Sequence, residues 1–114
     1  MGQNCIGIER IIVHTSVYDD LWSIFEDKVS KFRVGSVLAP TAEGYISTVD
    51  GGAMINADRF RGLEKVIHDA EEGGAQVIGG RQYDHVYLEN GYFFAPTLVG
   101  PVTKDMEIAN IEGK

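Results

Sequence analysis

Cys5 is the only cysteine of the chain, and it lies in the run Gly2-Gln3-Asn4-Cys5-Ile6-Gly7. A structural cysteine sits among apolar neighbours and is inert. A reactive one needs access for a substrate and groups that favour its thiolate. The glycines and amides around Cys5 suit the second case, because exposed backbone N–H groups can stabilise a thiolate and later an oxyanion. Spacing alone leaves both readings open, and a buried, inert cysteine is the commoner one. The three histidines, His14, His68 and His85, share no metal-ligand spacing, so no metal site is expected. His68 has Glu64 and Glu72 one helical turn to either side, which is a surface arrangement. The Gly79-Gly80-Arg81 pair lacks the Gly-x-Gly-x-x-Gly or Gly-Lys-Ser context of a phosphate loop.

The elements that must carry these residues follow from periodicity. Arg10 to His14 encloses Ile11, Ile12 and Val13, a β-branched run that reads as a buried strand. Ser16 and Asp19 fit the start of a helix, and Val17, Leu21, Ile24, Phe25 and Phe32 recur at helical spacing, which predicts a helix over 17–32. Its acidic residues come early or mid-helix, and Lys28, Lys31 and Arg33 come late, as the helix dipole favours. Residues 34–55 are interrupted by Gly35, Pro40, Gly44, Gly51 and Gly52 and read as a long loop, with a short strand possible at 45–49. Asn56 offers a cap for a helix over 57–72, with Phe60, Leu63, Val66, Ile67 and Ala70 on one face and Gly73-Gly74 as its stop. Strands are expected at 76–79, 84–88 and 92–99, with an Asn90-Gly91 turn before the last and Pro96 breaking it or marking an edge. The strand, helix, helix, strand order predicts an α/β fold. It would have three layers, helices 17–32 and 57–72 against a mostly parallel sheet of 10–14, 76–79 and 92–99.

The totals narrow the function. The chain has 114 residues, 44% of them hydrophobic, room for one small domain. A net charge of −7 argues against nucleic acid and against an anionic membrane surface as partners. No run approaches the ~18 apolar residues of a membrane span. One cysteine cannot form an internal disulfide, so nothing calls for an oxidising compartment, and a cytoplasmic location is the default.

Several stretches resemble the aldehyde dehydrogenase superfamily, in the same order along the chain. Gly2-Gln3-Asn4-Cys5 resembles its Gly-Gln-x-Cys segment, which leads into a strand and a long helix. Gly73-Gly74-Ala75 with Gly79-Gly80 resembles its glycine turns. Gly91-Tyr92-Phe93-Phe94-Ala95-Pro96-Thr97 resembles its Gly-x-Phe-x-x-Pro-Thr strand, and Asp105-Met106-Glu107-Ile108-Ala109 with Glu112 its cofactor-contacting run. The match is nearest to a fungal branch of aldehyde-dehydrogenase-like proteins. The resemblance implies that Cys5 is the nucleophile of covalent catalysis: it adds to an aldehyde to give a thiohemiacetal, hydride leaves for a nicotinamide, and water cleaves the remaining thioester. Gln3 and Asn4 shape the turn. Glu112 matches the glutamate that accepts hydrogen bonds from the nicotinamide ribose, a role suited to a pure acceptor; its alternative reading is a solvated tail residue.

Family members run several times this length. The resemblance therefore implies a partial catalytic domain over 1–114, without the dinucleotide-binding domain, the water-activating glutamate or the asparagine that completes the oxyanion hole. Glu9 and Arg10 follow Cys5 too closely to replace these across a pocket. Full-length members would use NAD or NADP and aldehydes and would form homo-oligomers; this chain is expected to hold no cofactor and to be inactive alone. The alternative is a standalone, non-catalytic α/β module for binding or subunit interaction. The 34–55 loop is longer than its family counterpart. Where members continue past the glutamate with a bulky residue and Phe-Gly-Pro, this chain reads Gly113-Lys114, and Ile111 stands where many carry a further glutamate.

Overall fold

A computed structural model describes residues 2–38, 48–82 and 91–112. Four elements organise them: helix α1 (Tyr18–Lys31), helix α2 (Phe60–Glu72), strand β1 (Gln76–Ile78) and strand β2 (Leu98–Gly100). Single 3-10 turns at Thr15–Val17 and Glu107–Ala109 flank them. Helices around a small sheet make this an α/β arrangement.

Both helices form where the apolar spacing places them, with shifted starts. Ser16 does not cap α1; the His14 ring accepts the Ser16 N–H at 3.2 Å and meets the Ser16 hydroxyl at 2.9 Å, and the 3-10 turn intervenes. Asp19 and Asp20 occupy the first turn of α1 and Lys28 and Lys31 the last, so the charges complement the dipole. Asn56 makes an Asx turn to the Asp58 N–H at 3.2 Å, and α2 begins only at Phe60. Gly73 ends α2 in a right-handed conformation, and Gly74 makes the reversal with φ +99°.

Helix α2 carries the core. Its Phe60, Val66, Ile67 and Ala70 are buried, each large side chain worth ~1.5–3 kcal/mol when fully covered. Met54, Phe60, Ile67 and Phe94 form one cluster, with Leu63, Val77, Val99 and Ile108 packed against it. The Phe60 and Phe94 rings meet at 5.3 Å between centroids, tilted by 56°. Helix α1 contributes no fully buried residue. It lies on both strands through Tyr18 and Trp22, whose rings stack and cover Gly100 where any side chain would collide. Burial, with Asp19 beside it, pushes the Tyr18 phenol above its usual range.

The sheet departs from the expected mostly parallel one. β1 and β2 pair antiparallel, with Gln76 opposite Gly100 and Ile78 opposite Leu98. A parallel pair needs a helical crossover, and the described residues between these strands contain no helix. The ladder then breaks at Gly79 and Gly80, both left-handed at φ +83° and +77°. At Gly79 a side chain would strike the Pro96 carbonyl, so the two backbones can pass closely only because it is glycine. Thr97 Oγ1 accepts the Gly80 N–H at 3.0 Å, and pairing resumes as one bridge, Gln82 with Phe94. Residues 92–97 of the expected last strand consequently lie outside β2, with Phe94 alone among them forming a bridge.

Residues 10–14 form no strand either. No strand among the described residues pairs with them, and Ile11 and Ile12 are 54% and 102% exposed. The expected strand at 84–88, with His85, lies outside the described residues, as do Asn90 and most of the 45–49 stretch.

Candidate active site

Cys5 is exposed, on a turn closed by the Gly7 N–H donating to the Asn4 carbonyl at 2.9 Å. The Asn4 side chain reinforces that turn by accepting the Ile6 N–H at 3.2 Å. The expectation that Asn4 shapes the turn is thus given an atomic form. Gln3 works outward: its Oε1 accepts the Ile55 N–H at 2.8 Å and pins the segment to the chain just before α2. An accessible thiol on a short, hydrogen-bonded turn can be reached by a carbonyl carbon.

Glu112 is also exposed, at the far end of the chain. The run leading to it is held by local bonds. Asn110 donates its side-chain amide to the carbonyls of Lys104 and Met106 at 2.9 and 3.1 Å, and its backbone N–H to Glu107 at 2.8 Å. The Arg10 guanidinium donates from Nη2 to the Ile111 carbonyl. The structure therefore joins the segment that carries Cys5 to the residue beside Glu112. Sequence spacing holds no signal for that contact, because its partners are 101 positions apart.

The other sequence candidates are structural. His14 caps a helix, and His68 faces Glu72 at 3.6 Å on the exposed side of α2. Glu64 turns away and accepts the Gln82 N–H at 3.0 Å. Among the described residues no three His, Cys, Asp or Glu side chains gather as a metal site would require. No helix described is long and apolar enough to cross a membrane. A cleft of about 710 Å³ lies between the 35–38 and 49–53 stretches and Gly91–Phe93. Neither Cys5 nor Glu112 lines it, and its one charged side chain, Asp50, is committed to Arg33. That pair is bidentate: Arg33 Nε and Nη2 each reach an Asp50 oxygen at 2.9 Å, and the Arg33 N–H adds a third bond at 3.0 Å. These bonds hold the Asp50 carboxyl down at about 2.

For a nicotinamide cofactor, the described site offers one fitting group, the acceptor-only carboxylate of Glu112, suited to a ribose diol. Nothing in the 76–82 turn cradles a pyrophosphate in the manner of a strand-to-helix glycine loop, since no α-helix follows it among the described residues.

The family model described as "Aldehyde dehydrogenase family" matches residues 1–113. An aldehyde dehydrogenase-like protein of Saccharomyces cerevisiae is 42% identical over 97% of this chain and 17% of its own length. A succinate-semialdehyde dehydrogenase [NADP(+)] of Schizosaccharomyces pombe is 35% identical over 97% of this chain and 21% of its length. The crystal structure of a Staphylococcus aureus betaine aldehyde dehydrogenase in complex with NAD+ superposes with a TM-score of 0.81 at 27% identity, covering 98% of this chain and 21% of that one. The chain thus spans about a fifth of the length of such relatives. By this match along nearly its whole length, the chain belongs to the aldehyde dehydrogenase family.

Proposed function

We propose that the chain is the part of an NAD(P)-dependent aldehyde dehydrogenase catalytic domain that supplies the nucleophile, Cys5, and one cofactor contact, Glu112, and that it does not oxidise aldehydes by itself. The observation that carries this reading is the bond from Arg10 to the Ile111 carbonyl, which joins the segment that carries Cys5 to the residue beside Glu112. The cofactor class rests on the relatives: one is named for NADP+, and one neighbour holds NAD+. The three-layer, mostly parallel sheet belongs, on this reading, to the whole catalytic domain, in which residues 10–14 would find their partner strands.

The Cys5 thiolate adds to the aldehyde carbonyl, and its own backbone N–H faces the oxyanion that forms. Glu112 accepts hydrogen bonds from the ribose hydroxyls and so orients the cofactor. The nicotinamide, when bound, supplies a hydride acceptor. Orientation of this kind is worth ~7–11 kcal/mol in favourable cases, and Glu112 alone cannot provide it. In the family, the second oxyanion donor and the water-activating carboxylate come from sequence ahead of the cysteine, and each is worth about two or more powers of ten in rate.

The test is NADH or NADPH formation with aliphatic and aromatic aldehydes, and hydrolysis of an activated ester, each with a Cys5→Ala control. Expected are no aldehyde turnover and a slow ester hydrolysis that Cys5→Ala abolishes. Turnover requiring both cofactor and Cys5 would show that these residues form a complete site. Ester hydrolysis unchanged in Cys5→Ala would remove Cys5 as the nucleophile.

A further inference from the structure

We infer that Arg10 is a positioning residue for the cofactor contact: its guanidinium fixes the Ile111–Glu112 peptide beside the segment that carries the nucleophile. The inference rests on the reading of Cys5 and Glu112 as the two site residues. Its basis is geometric. The Ile111 carbonyl belongs to the same planar peptide unit as the Glu112 N–H. A donor that holds this oxygen therefore sets where the Glu112 Cα, the attachment point of its side chain, leaves the chain.

The bonds around it show why the tether is needed there. Upstream of Ile111 the tail is self-supporting: the 3-10 turn Glu107–Ala109 is closed by the Asn110 N–H, and the Asn110 amide spans back to Lys104 and Met106. The Arg10 bond falls on the residue that follows Asn110. At the other end, Gln3 anchors the cysteine segment to Ile55. Residues 3 to 10 are thus fixed at both ends, and Cys5 lies between the anchors. Arginine is well matched to this position, because its donors are planar and charged at every working pH, and a charge-assisted bond is stronger than a neutral one.

The experiment uses the isotope-labelled 114-residue chain and its Arg10→Ala and Arg10→Lys variants. It reads the Ile111 carbonyl 13C shift and the Glu112 15N relaxation, with the Val66 and Ile67 amides of α2 as an internal standard for the fold. In Arg10→Ala the Ile111 resonance should move to the position of an unbonded carbonyl, and the Glu112 heteronuclear NOE should fall while α2 is unchanged. Arg10→Lys, which keeps a cationic donor, should recover part of both. A Glu112 signal unchanged in Arg10→Ala, a loosening that extends equally to α2, or a lysine variant no better than alanine would each overturn the inference. The role of Cys5 is read in the ester assay instead, so a failure of that reading is distinguishable from a failure of the Arg10 tether.

Discussion

Asp50 shows how one surface carboxylate can be made sensitive to pH. Its pKa is lowered to about 2 from the usual 3.8 by its side-chain and backbone bonds to Arg33. The unfolded chain therefore takes up the proton first as pH falls. The stability contributed by this group is fully present above about pH 4 and disappears as pH drops through 2. Asp50→Asn should lower the melting temperature slightly at neutral pH, since the pair is exposed, and should flatten the decline between about pH 4 and 2. Thermal scans across that range measure both effects; an unchanged acid slope would mean the pair does not persist in solution. At this scale the sequence was legible only where residue type carries the message. Cys5 and Glu112 stood out by resemblance to a motif. Arg10, Gln3 and the Arg33–Asp50 pair did not, because each is defined by a partner far along the chain that only the fold supplies.

The two helices differ in what they hold together. α2 places Ile67 in the core at 8% exposure, whereas Ile24 on α1 is 53% exposed. Ile67→Ala should cost about 2–5 kcal/mol, and Ile24→Ala should stay within about 0.5 kcal/mol. Chemical denaturation of the two variants is the check, and comparable losses would contradict this division of the core. Both helices could be read from apolar residues three and four apart, because that period is a local property. The strands could not. Ile11, Ile12 and Val13 have the composition of a buried strand, but that composition expresses itself only where a neighbouring strand covers it. The antiparallel sense of β1 and β2 was hidden for a similar reason: it depends on how the chain between them returns, without a helix among its described residues, and not on the residues of either strand.

Taken whole, the chain is less compact than its length allows. Its radius of gyration is 15.3 Å, against about 13 Å for a globular domain of this size. Ile6, Ile8 and Ile12 are 84%, 84% and 102% exposed, an apolar row of the kind that marks a covered surface in a larger assembly. On the proposed reading, the rest of the catalytic domain is that cover. The isolated chain should bind a hydrophobic dye under native conditions. Replacing Ile8 and Ile12 with threonine should cut the fluorescence at least by half without lowering the melting temperature, since neither side chain supports the core. A drop in melting temperature would show that the row is buried in solution by some other contact.

The Arg33–Asp50 clasp also has a topological consequence. It joins the two ends of the intervening stretch, helped by the Gly35 N–H donating to Gly51 at 3.0 Å and by the parallel bridge of Val34 with Gly51. A stretch whose ends are locked passes neither its length nor its composition on to what lies outside. Doubling such a closed segment costs only ~0.6 kcal/mol of chain entropy. A glycine–serine insert placed between Leu38 and Thr48 should therefore leave the melting temperature nearly unchanged, while the same insert in a chain carrying Asp50→Asn should lower it further than either change alone. The neck at Arg33 and Asp50, more than the segment it closes, would then be what shields the fold from added length at this point.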